Sequence, residues 1–107
     1  MLEESITKSI KRYLNEINNN GIPVNCGIIF GSFANNNNSK WSDIDLLVLS
    51  SYFDSEYKRK DINLLWKIAA RIDNRIEPIP IGLNRWNKDD ESTIIEIARR
   101  EGIKIFI

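Results

Sequence analysis

One stretch of the chain decides the fold: residues 26–49, which read CGIIFGSFANNNNSKWSDIDLLVL. Two apolar runs within it, Cys26–Phe30 and Ile44–Leu49, have the length and the flanking residues of buried strands. The segment between them, residues 31–42, is polar and shows no helical periodicity, which indicates a loop that joins antiparallel strands. The stretch therefore predicts the centre of a β-sheet.

Two aspartates at the start of the second strand are the most informative feature of the sequence. Asp43 and Asp45 occupy alternate positions, so their side chains point to the same face, roughly 6–7 Å apart along the backbone. Converging carboxylates repel each other unless a cation lies between them, and magnesium prefers such hard oxygen ligands. The structural alternative is a turn residue at Asp43 and an exposed acid at Asp45. The strand is otherwise apolar, which suggests a reason for the two acids, but for an isolated Asp-x-Asp we would favour the structural alternative.

A glycine and a serine at the end of the preceding strand strengthen this hypothesis. Gly31 lacks a Cβ, so a phosphate can approach the backbone where the chain turns, and Ser32 adds a hydroxyl and an N–H donor. A Gly-Ser pair taken alone is a common turn. Beside two converging aspartates, it predicts a phosphate site next to a metal site.

Helices are predicted before and after this central pair of strands in the sequence. Apolar residues at steps of three and four indicate helices over residues 2–18 and 55–73, the second capped by Ser55. Asp89 or Asp90 is expected to cap a last helix. Further strands are predicted over residues 75–81 and 103–107.

The connections between strands predict the topology. Because a helix joins the second strand to the third, those strands should be parallel neighbours. Pro78 and Pro80 are two residues apart, so both missing N–H groups face one edge of the third strand, which should be open or bulged. The prediction is one α/β (α+β) domain over residues 1–107, with a small mixed β-sheet and helices packed on one face.

Composition excludes several classes of function. The 107 residues contain no histidine and a single cysteine, Cys26, which excludes Ser-His-Asp and Cys-His catalysis and an internal disulfide. Any metal must be held by oxygen. Fifteen basic and fifteen acidic residues argue against strong nucleic-acid binding, but not against a local basic patch. No apolar run approaches the ~20 residues of a membrane span and no signal peptide opens the chain, so we predict a cytoplasmic protein that binds no membrane.

The glycine-serine turn and the aspartates together form a known pattern. Gly31-Ser32, ten residues and Asp43-Ile44-Asp45 resemble the G-S-x10-D-x-D signature of DNA polymerase β-like nucleotidyltransferases, and with the chain length the minimal nucleotidyltransferase family in particular. The resemblance runs from the first helix through at least Ile81. It implies the polymerase β palm-like fold, ATP or another nucleoside triphosphate as substrate, two magnesium ions bound by the aspartates, and phosphates contacted by the turn.

The resemblance also implies a third acid on a neighbouring strand, for which Glu77 is the candidate. Glu77 would bind one metal ion and assist deprotonation of the acceptor; its alternative is an exposed acid on an edge strand. Family members commonly continue the turn with Arg-Gly, where this chain has Asn35-Asn36. We expect Lys40, Arg71 or Arg75 to supply the positive charge near the phosphates.

Two tryptophans outside the motif are assigned to packing or to an interface. Trp66 lies on the predicted helix 55–73, and Trp86 is predicted to lie in a loop. For Trp41, in the loop before the aspartates, stacking on a nucleotide base and anchoring on the core are both open.

The leading functional hypothesis is a metal-dependent nucleotidyltransferase that transfers AMP from ATP to a protein hydroxyl. Small members of the family occur beside HEPN-domain proteins as antitoxins, so a HEPN-domain toxin is the expected partner. The first alternative is a degenerate, non-catalytic module that neutralises its partner by contact. Transfer to a small molecule such as an aminoglycoside is a third hypothesis, disfavoured because the chain ends at Ile107 without a second domain for an acceptor pocket. Whether the protein forms a homo-oligomer is left open by the sequence.

Overall fold

A computed structural model describes residues 4–31, 43–55, 57–88 and 92–107 of the chain. The predicted phosphate contacts Ser32 and Lys40, together with Trp41, Asp89 and Asp90, lie outside these ranges. None of the described helices is long and apolar enough to cross a membrane. In chain order, the elements are α1 (Glu4–Asn19), β1 (Cys26–Phe30), β2 (Ile44–Leu49), a 3-10 helix (Ser51–Asp54), α2 (Arg59–Ile72), β3 (Ile76–Ile81), α3 (Leu83–Lys88), α4 (Thr93–Glu101) and β4 (Ile103–Ile105).

The four strands form one mixed sheet in the order β3-β2-β1-β4. β1 is antiparallel to β2 and to β4, while β2 and β3 are parallel. Both predicted relations, the antiparallel pair and the parallel crossover through α2, are confirmed. The register places Asp45 of β2 between Phe30 of β1 and Glu77 of β3.

β3 is an edge strand of this sheet, as its prolines predict. The carbonyl of Ile81 accepts a hydrogen bond of 3.2 Å from the N–H of Ser50, just after β2. Residues of β3 with the opposite parity therefore direct their backbone groups away from β2, and these include Pro78 and Pro80. The missing N–H groups lie on the open side, where no ladder bond is lost.

α1 and α2 cover one face of the sheet, where Leu46 and Ile76 are buried. The hydroxyl of Tyr13, fully buried on α1, donates a hydrogen bond of 3.0 Å to the carbonyl of Leu65 on α2. This bond satisfies the one polar atom that the tyrosine brings into the core, so the ring fills the space between the helices without leaving an unpaired group.

α3 and α4 cover the opposite face, so helices lie on both faces and not on one. Leu47 of β2 packs there with Trp86 of α3 and Ile95 of α4. The predicted mixed α/β fold is confirmed, and the second helical layer has a simple cause. Because consecutive residues of β1 and of β2 from Leu46 onward are apolar, both faces of the sheet need cover.

α3 corrects the prediction that Trp86 lies in a loop. Trp86 is buried on this helix, which is too short to show a helical periodicity in the sequence. The Nε of Arg99, on α4, donates to the carbonyl of Trp86 at 2.7 Å, and the guanidinium carbon lies 5.6 Å from the centre of the indole ring. Arg99 thus ties α4 to the end of α3.

Two helices begin later than predicted. α2 begins at Arg59, because Asp61 accepts a hydrogen bond of 2.8 Å from the N–H of Lys58 and closes the first turn; the predicted cap, Ser55, follows the 3-10 helix. The oxygen of Ser92 caps α4, accepting from the N–H of Ile95. The predicted capping of this helix by Asp89 or Asp90 is therefore wrong. In both cases several capping residues stand close together in the sequence, and tertiary contacts select one.

Candidate active site

The predicted acids lie at the start of β2, on the face that α3 and α4 cover further along. Side chains alternate along the strand, so Asp45 shares its face with Leu47, while Leu46 points into the core on the other side. Asp43 directly precedes β2 and has the same parity. Asp43 is exposed and Asp45 is half-buried. This face of β2 thus changes from acidic to apolar along its length.

Glu77 joins the two aspartates because β3 runs parallel to β2. It is the direct register partner of Asp45, and paired residues on neighbouring strands share a face. Glu77 is half-buried, and its side chain lies close enough to both aspartates for their charges to raise its pKa. The structure therefore brings together all three acids that were predicted from the sequence, Asp43, Asp45 and Glu77.

The electrostatics of this acidic cluster favour a shared proton or a cation. Burial raises the pKa of Glu77 above its usual range, and the negative charges of Asp43 and Asp45 raise it further. Burial also raises the pKa of Asp45, an effect that the hydrogen bond from Glu77 opposes. Negative charge on Asp45 and on Glu77 is thus disfavoured by burial and by the neighbouring acids.

The turn after β1 contacts the acidic cluster directly. Gly31 has a positive φ of 77°, and a Cβ at this position would lie 2.6 Å from Oδ2 of Asp45. The left-handed backbone therefore disfavours any side chain at Gly31, and a Cβ there would also displace the carboxylate of Asp45. The sequence predicted that a glycine is required at this turn for close approach of a ligand; the structure shows close approach of the backbone to Asp45.

The basic residues expected near the phosphates have different positions. Arg71 lies on α2 and pairs with Glu16 of α1 at 3.0 Å, on the face of the sheet away from the acids. Arg75 precedes β3 two residues before Glu77, and its carbonyl accepts a hydrogen bond of 2.7 Å from the N–H of Ile44. Arg75 is therefore the one of these two arginines that the structure places at the acidic end of β2 and β3.

Asp73 supports Arg75 and was missed in the sequence. Its Oδ1 accepts hydrogen bonds of 3.0 Å from the backbone N–H and from the Nε of Arg75, and its Oδ2 lies 2.8 Å from Nη2. These contacts with Arg75 hold the pKa of Asp73 below its usual range. The available signal was an Asp two residues before an Arg in a turn, where an Asp side chain often bonds to the backbone two residues on.

The donor chemistry of the cluster fits a hard divalent cation. Within the described ranges, no three acidic or cysteine side chains form a ready-made metal cluster. Asp43, Asp45 and Glu77 nevertheless offer only carboxylate oxygens, the ligands that magnesium prefers. Burial and the charges of the neighbouring acids raise the pKa of Glu77 and of Asp45, and a bound cation would offset that repulsion.

Solved structures share this fold. A candidate nucleotidyltransferase from Sulfolobus solfataricus is similar with a TM-score of 0.61 and 18% identity, over 94% of this chain and 85% of that one. A tri-AMPylated Shewanella oneidensis HEPN toxin in complex with MNT antitoxin is similar with a TM-score of 0.55 and 17% identity, over 94% and 71%. A toxin-antitoxin structure with AMP-PNP is similar with a TM-score of 0.60 and 18% identity, over 90% of this chain and 72% of that one.

Sequence comparison adds the family. No curated protein shows significant similarity to the chain. The family model described as polymerase beta, nucleotidyltransferase matches residues 8–107, which include α2, the whole sheet and all three acids. The chain therefore belongs to the polymerase beta nucleotidyltransferase family.

Proposed function

We propose that this protein is a metal-dependent nucleotidyltransferase that transfers AMP from ATP to a hydroxyl group on a partner protein. One observation carries the proposal: Glu77 of β3 is the direct register partner of Asp45 of β2, on the face that Asp43 shares. Three carboxylates from two parallel strands thus converge at one end of the sheet. Family membership supports nucleotidyl transfer as the reaction class.

Asp43, Asp45 and Glu77 would hold the magnesium ions, for which two is the number that the family resemblance implies. Bound there, magnesium supplies charge neutralisation for the triphosphate and acidifies the acceptor hydroxyl. In the transfer, a bond forms between the acceptor oxygen and the α-phosphorus, and the bond to the bridging oxygen breaks to release pyrophosphate. Glu77 would assist in removing the proton from the acceptor hydroxyl, the role that the family resemblance implies.

The remaining site residues orient the triphosphate. The turn at Gly31 lies against Asp45, so its backbone would contact phosphates next to the acids; Ser32 and Lys40, the other proposed phosphate contacts, lie outside the described residues. Arg75, held by Asp73, offers a fixed guanidinium at the same end of the sheet. A guanidinium binds phosphate oxygens in a defined geometry, which compensates for the asparagines at positions 35 and 36.

The proposed partner is a HEPN-domain protein, with this chain as its antitoxin. Support comes from the fold neighbours, which include a HEPN toxin carrying AMP groups in complex with its antitoxin. A net charge of zero agrees with a protein acceptor, because a nucleic acid is usually bound by a basic excess.

Intact mass spectrometry tests both parts of this proposal. A HEPN-domain partner is incubated with the protein, ATP and magnesium, and then with the Asp45→Asn variant. We expect the partner to gain the mass of one or more adenylyl groups with the natural chain and none with the variant. The matched control is Glu96→Gln, at an exposed acid of α4, which should leave transfer unchanged.

Two other outcomes would overturn parts of the proposal. If the partner binds but its mass never changes, the protein is a non-catalytic module that neutralises by contact. If the partner does not bind but another protein acquires AMP, the enzyme assignment stands and the HEPN-domain partner is wrong.

A further inference from the structure

The outer side of α2 carries an apolar row in which the first residue is half-buried and the other two are exposed. Ile62, Trp66 and Ala70 follow one another at intervals of four residues, which places them in one line along the helix. Trp66 is 47% exposed, a large fraction for an indole ring. The core contacts of α2 are made by other residues, Leu65, Ile68 and Ala69.

Basic side chains flank this row. Arg59, Lys60 and Lys67 are exposed on the same outer side, and within the described ranges none of them forms a salt bridge. The one acid of α2, Asp61, is buried. It accepts hydrogen bonds from Tyr52 Oη at 3.0 Å and from the N–H of Lys58 at 2.8 Å. The outer side of α2 is therefore apolar along its row and positive beside it.

Neither the fold nor the active site uses this surface. The acids lie on the other face of the sheet, and Trp66 is absent from both apolar clusters of the core. An exposed tryptophan next to an arginine is typical of an interface centre, where these two residue types contribute much of the binding energy, while lysines lie at the polar rim. The surface is thus available to a partner while the acids are engaged with a nucleotide.

We propose that this Trp66 surface, formed by Arg59, Lys60, Ile62, Trp66, Lys67 and Ala70, docks an amphipathic helix of a partner protein. A row of residues four apart forms a ridge that packs into the groove of a second helix. The complementary helix has an apolar stripe flanked by glutamate or aspartate, which meets the three cations.

The charge and shape of the Trp66 surface favour an amphipathic helix over a second copy of the chain or a nucleic acid. A second copy of the chain would place cations against cations, which disfavours self-association through α2. A nucleic acid would engage the cations and the indole ring, but Ile62 and Ala70 offer no stacking or hydrogen bonding to bases. A helix with a mixed apolar and acidic face uses every member of the surface.

The test measures binding of defined probes to the isotope-labelled protein by NMR. The probe is a synthetic helical peptide of about 16 residues, with leucine on one stripe and glutamate on both flanks. A peptide with lysine in place of glutamate is the charge control, and a uridine oligonucleotide is the nucleic-acid probe. We expect the acidic peptide to shift the amide signals of α2 and the other two probes to shift none of them.

Variants show whether the contact is the proposed one. Trp66→Ala and the pair Arg59→Glu with Lys67→Glu should each lower the affinity for the acidic peptide at least about tenfold. Two matched controls should leave it unchanged: Ile94→Ala, at an equally exposed apolar residue of α4, and Lys104→Glu, at an exposed lysine of β4. Unchanged melting temperatures show that the variants are folded.

Three results would overturn the proposal. The acidic peptide fails to shift α2, or shifts it equally in the variants. Alternatively, the oligonucleotide shifts α2 and the peptide does not, which would make the surface a nucleic-acid contact.

Discussion

Neighbouring residues of β2 face opposite helical layers of the molecule, and the two faces differ in polarity. On the side of α1 and α2, Ile44, Leu46 and Val48 are apolar and fully buried. On the other side, the strand begins with Asp45, whose pKa burial raises, and becomes apolar only at Leu47. The difference teaches that one strand can contribute to the core with one face and hold acidic groups near a neighbouring strand with the other.

The largest effect on stability is expected on the apolar side. Leu46→Ala removes a fully buried side chain and should lower the free energy of unfolding by about 2–5 kcal/mol. Urea denaturation measures this loss. A change below about 1 kcal/mol would show that the α1 and α2 side contributes little, and would remove the contrast between the two faces.

The two glycines with positive φ sharpen the comparison. Gly31 and Gly21 have φ values of 77° and 96°, so replacing either with alanine should cost roughly 1–2 kcal/mol of stability. Only the Cβ at Gly31 would meet Asp45; at Gly21 nothing lies within 4 Å. We therefore expect Gly31→Ala to weaken ATP binding in calorimetry and Gly21→Ala to leave it unchanged. Equal ATP affinities of the two variants would show that the turn at Gly31 is not part of the nucleotide site.

The acidic side should respond to charge removal in the opposite direction from the core. Asp45→Asn keeps an acceptor for Glu77 and removes one of the repelling charges, so the metal-free protein should be unchanged or more stable by up to about 1 kcal/mol. Nucleotidyl transfer should fall at least about 100-fold. A melting temperature many degrees lower would show that Asp45 serves the fold.

The smallest effect concerns Asp73 and Arg75. Arg75 holds the pKa of Asp73 below its unfolded value, so the pair stabilises the fold above the unfolded pKa of about 3.9. This contribution is lost as the pH falls through the lower, folded pKa. The unfolding free energy of the natural chain should exceed that of Asp73→Asn by up to about 1 kcal/mol at neutral pH, with the gap closing in strong acid. A difference in unfolding free energy that persists in acid would show that the charge of Asp73 does not stabilise the fold.

The sheet and its acids could be predicted because the pattern is local. The alternation from Asp43 to Leu49 and the helical connection to residues 75–81 fix strand direction and neighbour order. The direct pairing of Asp45 with Glu77 depends on how α2 returns the chain to the sheet, which no local pattern records. Arg71 and Arg75 were equally plausible at the site, since only the tertiary structure places Arg71 against Glu16.

Calorimetric titration of ATP tests the central claim most directly. Tight binding in magnesium should weaken at least about tenfold in EDTA, and should weaken to the same extent in Asp45→Asn with magnesium present. The two losses should not add, because both remove the same metal contact. Equal affinity for ATP with magnesium and with EDTA would contradict the assignment of Asp43, Asp45 and Glu77 as a metal site for nucleotide.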